Sequence, residues 1–446
     1  MTEHNKLPMR RLYIVLAGIL ILRFAFFAIA VRNPSGGVLI DSDRYLELAN
    51  WIARHGNYVI PSKHDLIWPL GYPLFLRLLG SIDPNAVLPV YMVQLLLSTI
   101  TACLLIALGK TIHKERAGVY AAILYGLSPN SQFWSLTVMS EILFAFWLTL
   151  SLYLFIRYQA DRKLSLIFIS GLALGIGALT RPIGLYLAPL WAIVLIWWES
   201  RSTKTFRWGS VISFLLGMIL VILPWMMRNY VVRSEFVFSD VSAKTSSNFN
   251  LAYVIAAAED ISRDEATLLI ESRSNLFVEA LRLFRLYPRE FIREQSAGIL
   301  RATFGVESGV WSRILIKEDQ RGQSFGILNL MLKKQFREAS TRIQSLLSDP
   351  MSRSLLLLGI WGIGYTVMLY LLGMVGLTSA KSMFVPLAIV STITVVYLLV
   401  IPGAAGQARF RIPSEPFIAL MAGMGLYTLE SRLPELRGRF RTKAAS

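Results

Sequence analysis

Asp41 and Asp43 stand two residues apart, close behind a run of about twenty mostly apolar residues. Five more charged residues recur at comparable places: Glu141 after "SPNSQFWSLTVMS", Arg181 in "ALTRP", Arg228 in "PWMMRN", and Arg409 and Arg411 in "RFRIPSEP". A carboxylate can take a proton, and an arginine can hold a phosphate through paired hydrogen bonds. Together they suit an anionic substrate held at a membrane. Each residue also has a plainer use. Asp41, Ser42 or Asp43 can cap a helix expected over 43–54, and Glu141 can be a boundary residue. Arg181, Arg228 and Arg409 can anchor helix ends at lipid headgroups, and Arg23, inside the first apolar run, can pair with a carbonyl or acid nearby.

The elements that must position these side chains are membrane spans. Of the 446 residues, 54% are hydrophobic and 16% charged, where a soluble domain carries roughly 25% charged. Apolar runs lie near 12–31, 88–109, 117–134, 136–156, 165–180, 183–198, 209–227, 354–376, 383–401 and 415–429. With no water to satisfy the backbone there, these are helices, which predicts an all-α polytopic membrane protein of about ten spans. Ala28-Ile29-Ala30 resembles a cleavage site, but Arg23 and the many later spans favour an uncleaved anchor.

With the N-terminus inside, the inner segments hold 18 Lys and Arg against 6 Asp and Glu. The outer segments 32–87 and 228–350 are nearly balanced, with 5 against 5 and 17 against 15. Most of the net charge of +17 is therefore topology and attraction to anionic lipid, and nothing else points to nucleic acid. Both termini are expected in the cytoplasm, and the acids and arginines named above all fall on the outer face. The lone cysteine, Cys103, excludes a disulfide framework. His4, His55, His64 and His113 are scattered, so a divalent metal has no support in their spacing.

Three regions follow. Residues 1–227 are an N-terminal membrane region with a first outer loop, 32–87, that holds the aspartates. Residues 228–350 are an outer-face helical domain, with helical spacing over 270–284, 288–304 and 327–347. Residues 351–446 are the last spans and a basic tail. The aromatic and methionine content fits lipid-facing packing, with Trp134, Trp197, Trp198 and Trp225 near span ends.

The pieces "DSDRYLELA", "WPLGYPLF", "MSEILF", "ALTRP", "PWMMRN" and "RFRIPSEP" occur in an order that resembles the integral-membrane glycosyltransferases of the GT-C fold. These include the protein mannosyltransferases and the aminoarabinose transferases. The resemblance implies an inverting transfer of a sugar from a polyprenyl-phosphate donor to a lipid, glycan or protein acceptor. It places the site on the periplasmic or extracellular face of a membrane, in the bacterial case the inner one. It implies no certain cofactor. Its Asp-x-x-x-Tyr motif maps onto Asp41 and Tyr45, making Asp41 the base, with Asp43 as helper or replacement because Ser42 stands where many members carry glutamate. Tyr45, Tyr72, Glu141, Arg181, Arg228, Arg409 and Arg411 become substrate contacts. Two rivals are a lipid-linked glycan polymerase or ligase, and a lipid-sugar flippase. The flippase would show internal repeats and charges at mid-membrane, which this sequence lacks.

Overall fold

A computed structural model of the chain describes residues 9–61, 64–202, 207–241, 250–271, 275–316, 327, 330–331, 335–378 and 384–443. Among these the regular structure is helical throughout. The first half comprises α1 (Met9–Arg32), α2 (Ile40–His55), α3 (His64–Ile67), α4 (Gly71–Leu78), α5 (Leu88–Thr111), α6 (Glu115–Gly126), α7 (Pro129–Trp134), α8 (Glu141–Asp161), α9 (Leu164–Thr180), α10 (Leu187–Ser202) and α11 (Trp208–Arg233). The segment 228–350 supplies α12 (Ala252–Glu259), α13 (Arg263–Glu271), α14 (Leu276–Leu286), α15 (Pro288–Phe304), α16 (Ser308–Ile316) and α17 (Phe336–Ser348). The chain then returns through α18 (Pro350–Thr378), α19 (Phe384–Val400) and α20 (Glu415–Lys443).

All ten expected apolar segments contain helix. Six helices among the described residues are long and apolar enough to cross a bilayer, with α9 and α19 as shorter apolar ones, so the chain is an integral membrane protein. The expected span 117–134 is not continuous. Helix α6 stops at Gly126, Ser128 turns extended with φ −61° and ψ 120°, and Pro129 opens α7. Proline disfavours helical geometry in the residue before it and brings no backbone N–H, so a helix breaks here. The next span correspondingly begins at Glu141 and not at 136. Everything between, 128–140, is buried, forming a plug of non-helical and short-helical chain at one end of the bundle.

In the outer domain the helix over 288–304 is found as expected, whereas the one over 270–284 is displaced to 276–286. For the stretch 327–347, several front residues lie outside those described, and the helix is seen over Phe336–Ser348.

The amphipathic helix expected over 43–54 runs from Ile40 to His55, and Ser42 caps it: the Leu39 N–H donates to Ser42 Oγ at 2.8 Å. The same hydroxyl donates to the Val138 carbonyl at 2.9 Å, so one serine both starts α2 and fastens it to the plug. Asp41 and Asp43 sit in the first turn, where the helix dipole favours acids, but neither side chain makes the cap bond. That leaves the Asp41 carboxylate available to another partner.

Helices α9 and α11 approach so closely that a methyl group on Gly171 would overlap the Phe214 carbonyl, and one on Gly217 the Phe168 carbonyl. Small residues at such crossings let backbones meet in a membrane, where dispersion contacts drive association. This crossing sets the direction of α9, whose end carries Arg181. Gly171→Val and Gly217→Val should each lower stability by about 1–3 kcal/mol, read as a fall in thermal midpoint in detergent, while Gly364→Ala, beside open space, should change it little.

Candidate functional site

The plug and three distant loops meet at one end of the bundle. Arg409 Nη1 lies 2.5 Å from Asp41 Oδ2, an ion pair across 368 positions of sequence. Beside it, Arg181 Nη1 lies 2.6 Å from Glu141 Oε1 and donates to Ser140 Oγ at 3.1 Å. Phe410 sits under both guanidinium groups, 5.2 Å from Arg409 and 5.8 Å from Arg181, within cation–π range. Glu141 is sealed from solvent, and its Oε2 has no hydrogen-bond partner. Asp41, by contrast, keeps 40% of its side chain exposed.

Tyr45 stands one turn after Asp41 on the buried face of α2, with its hydroxyl 3.3 Å from Ser140 Oγ. Burial pushes that phenol's pKa up, which keeps it a neutral donor. Tyr72 packs edge-on against Tyr45 at 4.8 Å and is wholly buried, its hydroxyl donating to Gln94 Oε1. Gln94 in turn donates to the Ser135 and Thr137 carbonyls, holding the plug in place. The structure thus puts Tyr72 behind the site as a support.

Two arginines from the sequence list are committed elsewhere. Arg411 is buried and donates to the carbonyls of Ala302, Thr303 and Gly305, satisfying the C-terminal end of α15. Its Nε faces Glu415, which accepts from Ser128 and Asn130. Arg228 belongs to a second cluster: its Nη2 lies 2.6 Å from the buried Asp65, which also receives Arg233 at 2.8 Å. Trp225 and Tyr58 flank the Arg228 guanidinium at 5.0 and 5.7 Å. Asp43 is exposed on the outer side of α2 and has no ion pair among the described residues. Arg23 is sealed inside the bundle and lies 5.8 Å from the Tyr125 ring.

Glu307, which the sequence reading passed over, completes the group. It is a buried carboxyl between α15 and α16. Burial pushes the Glu307 carboxyl above its ordinary range, while Arg409 and Arg411 pull it back part of the way. For Arg409, burial works against the charge, yet Asp41, Glu141 and Glu307 together raise its pKa. The available signal for Glu307 was an isolated acid in "FGVESG", between two helical patterns. Among the described residues no three His, Cys, Asp or Glu side chains converge as a metal site.

Glu307 and Gln407 also line a cavity of about 1430 Å³ between helices α12–α17 and the first half of α18. Leu346, Leu355, Leu356, Ile360 and Ile363 supply apolar lining, and the charged lining mixes Arg263, Arg293 and Arg301 with Asp260, Glu294 and Glu307.

The architecture is that of the GT-C membrane glycosyltransferases, as the sequence resemblance implied. Residues 68–227 match the family model described as dolichyl-phosphate-mannose-protein mannosyltransferase. The oligosaccharyltransferase of Archaeoglobus fulgidus in its apo form superposes at a TM-score of 0.53 with 14% identity, over 96% of this chain and 52% of that one. The structure of that archaeal enzyme, AglB, with an inhibitory peptide and a dolichol-phosphate superposes at 0.51 and 14%, over 97% and 52%. The chain thus spans about half the length of the archaeal enzyme it matches. ArnT from Cupriavidus metallidurans, bound to undecaprenyl phosphate, overlaps at a TM-score of 0.43 and 13% identity, over 96% of this chain and 79% of that one. No curated protein sequence matches the chain.

A group with a raised carboxyl pKa binds its proton more tightly in the folded than in the unfolded chain. For Glu307 this favours the fold below pH 4.5, an advantage lost as pH rises through the raised folded value. Glu307→Gln lacks that loss, so its thermal midpoint should exceed the wild type's near neutrality and converge with it at acid pH. Thermal scans across pH check this.

Proposed function

We propose that the chain transfers a sugar from a polyprenyl-phosphate donor to an acceptor hydroxyl on the outer face of the membrane, with inversion at the anomeric carbon. The observation that carries this reading is the Asp41–Arg409 pair beside Glu141–Arg181 at one end of the bundle, near a large cavity lined by apolar side chains and by arginines. The lipid of the donor would lie along the apolar lining and its phosphate would reach Arg409, with Arg181 supporting from across Phe410.

Asp41 takes the acceptor proton as the acceptor oxygen bonds to the anomeric carbon. The bond from that carbon to the phosphate oxygen breaks, and its electron pair leaves on the polyprenyl phosphate. The arginines neutralise the charge gathering there, so no strong general acid is required. The partly exposed carboxylate of Asp41 can meet an acceptor arriving from water, whereas the sealed Glu141 can orient Arg181 but not reach an acceptor. Tyr45 supports the floor through Ser140. Asp41 is preferred to Asp43 because Asp43 points to solvent away from the arginines. The wording of the matched family makes a polyprenyl-phosphate mannose the first donor to try.

Membranes carrying the full chain should transfer radiolabelled mannose from such a donor. Asp41→Asn should lose at least ~100-fold in rate, the scale expected for removing a general base, while Asp43→Asn keeps at least a third. Equal transfer by Asp41→Asn would remove the base assignment. Absence of transfer from polyprenyl-phosphate mannose, glucose, galactose and aminoarabinose donors alike would remove the donor class.

A further inference from the structure

Segment 228–350 shows an apolar surface outside the spans, centred on α14. This helix carries two apolar stripes. Leu276, Ala280 and Leu283 recur at helical spacing and belong to a small core that includes Ile255 of α12 and Ile270 of α13. Phe277, Leu281 and Phe284 recur at i, i+4 and i+7 on the adjacent face, and these residues are 73%, 45% and 46% exposed. Phe284 continues the surface onto α15, its ring 5.5 Å from that of Phe291, and the neighbouring Ile292 is 56% exposed. Single apolar residues on a protein surface are ordinary, but a continuous stripe with two phenylalanines marks a face that something covers.

Charge indicates what covers it. Arg282 and Arg285 lie on the next face of α14 and Arg289 in the first turn of α15, all three exposed. The acid of α14, Glu279, is instead buried, where it pairs with Arg282 at 3.3 Å. Rings bordered by arginines, with the acid withdrawn, suit a lipid leaflet. The rings enter the acyl boundary and the guanidinium groups stay with the lipid phosphates. A second copy docked by the same face would set arginines against arginines. The bilayer is also within reach, because the segment connects two spans, α11 ending at Arg233 and α18 starting at Pro350. It packs down against them. Phe304 at the end of α15 lies 5.9 Å from the ring of Tyr370, inside the span Ser352–Thr378, and the Tyr370 hydroxyl donates to the Thr303 carbonyl at 3.2 Å.

We infer that α14 is an interfacial anchor whose Phe277, Leu281 and Phe284 face lies in the surface of an anionic bilayer. Helices α12 and α15, which share its core, line the large cavity, so the lipid that seats α14 also seats that part of the lining. The test uses the full chain with Cys103→Ser, spin-labelled at one new cysteine at a time, in nanodiscs holding one chain each. Phe277→Cys, Leu281→Cys and Phe284→Cys sample the stripe, and Arg282→Cys and Arg285→Cys the basic face. Oxygen concentrates among acyl chains and a nickel chelate in water, so the ratio of their collision rates reports depth. In discs containing phosphatidylglycerol the ratio should be about threefold higher at the stripe positions than at the arginine positions.

The same ratio at all five positions would overturn the anchor. Low collision rates with both reagents at the stripe would also overturn it, because they mark cover by protein. In the chain labelled at Leu281→Cys, Arg282→Gln/Arg285→Gln should lower the ratio about twofold in anionic discs and leave it unchanged in phosphatidylcholine discs. No change in the anionic discs would overturn the pairing of arginines with lipid phosphate. All five positions are exposed, so labelling leaves the core intact, and thermal midpoints equal to that of the unlabelled Cys103→Ser chain verify this.

Discussion

A carboxylate sealed at the edge of a bilayer is tolerated only with a cation beside it, and this constraint organises one end of the helical bundle. Leaving such a charge unpaired costs about 3–5 kcal/mol, far more than an exposed pair returns. Glu141, Asp65 and Glu415 are all buried, and each has an arginine from another element, or from the next turn, within reach. Satisfying them draws the plug, the first outer loop and the last loop together. The half-exposed Asp41–Arg409 pair contributes little to stability by comparison. Its importance is where it puts the two groups.

The same constraint divides the arginines into two kinds. Arg411 is fully enclosed, spending its donors on three carbonyls at the end of α15. Arg228 and Arg233 share Asp65 and bind the first outer loop to α11. These side chains hold the frame. Arg181 and Arg409 differ in sharing one ring, Phe410, beside the part-exposed Asp41. A cation over a ring stays charged and ordered without its donors being used up, which suits a group that must meet an incoming anion.

The segment between α11 and α18 lines the cavity near this pair. Residues of α12, α15, α16 and α17 line a space beside α18 that holds both apolar and charged side chains. Arg301, bonded to the Ala404 and Gly406 carbonyls, ties that segment to the loop carrying Arg409. Substrate-binding surface and reactive groups are thereby parts of one connected piece. The archaeal fold match covers nearly all of this chain but only about half of the archaeal one.

Hydropathy and the distribution of Lys and Arg by themselves determined a helical membrane protein, the rough position of its spans and the loops that bear the candidate acids and arginines. These are properties of short windows: a run of apolar residues must be helical in lipid, whatever lies elsewhere in the chain. Local chemistry also made Asp41 and Asp43 equally good candidates, and four loop arginines nearly interchangeable. Only the tertiary structure separated them. Ser42 took the cap, the turn of α2 sent Asp43 to solvent, and Asp41 met Arg409. Arg411 and Arg228 were claimed by carbonyls and by Asp65, and Glu307 entered from a segment that carried no motif. Which charge faces which depends on contacts across hundreds of residues, and no local pattern encodes them.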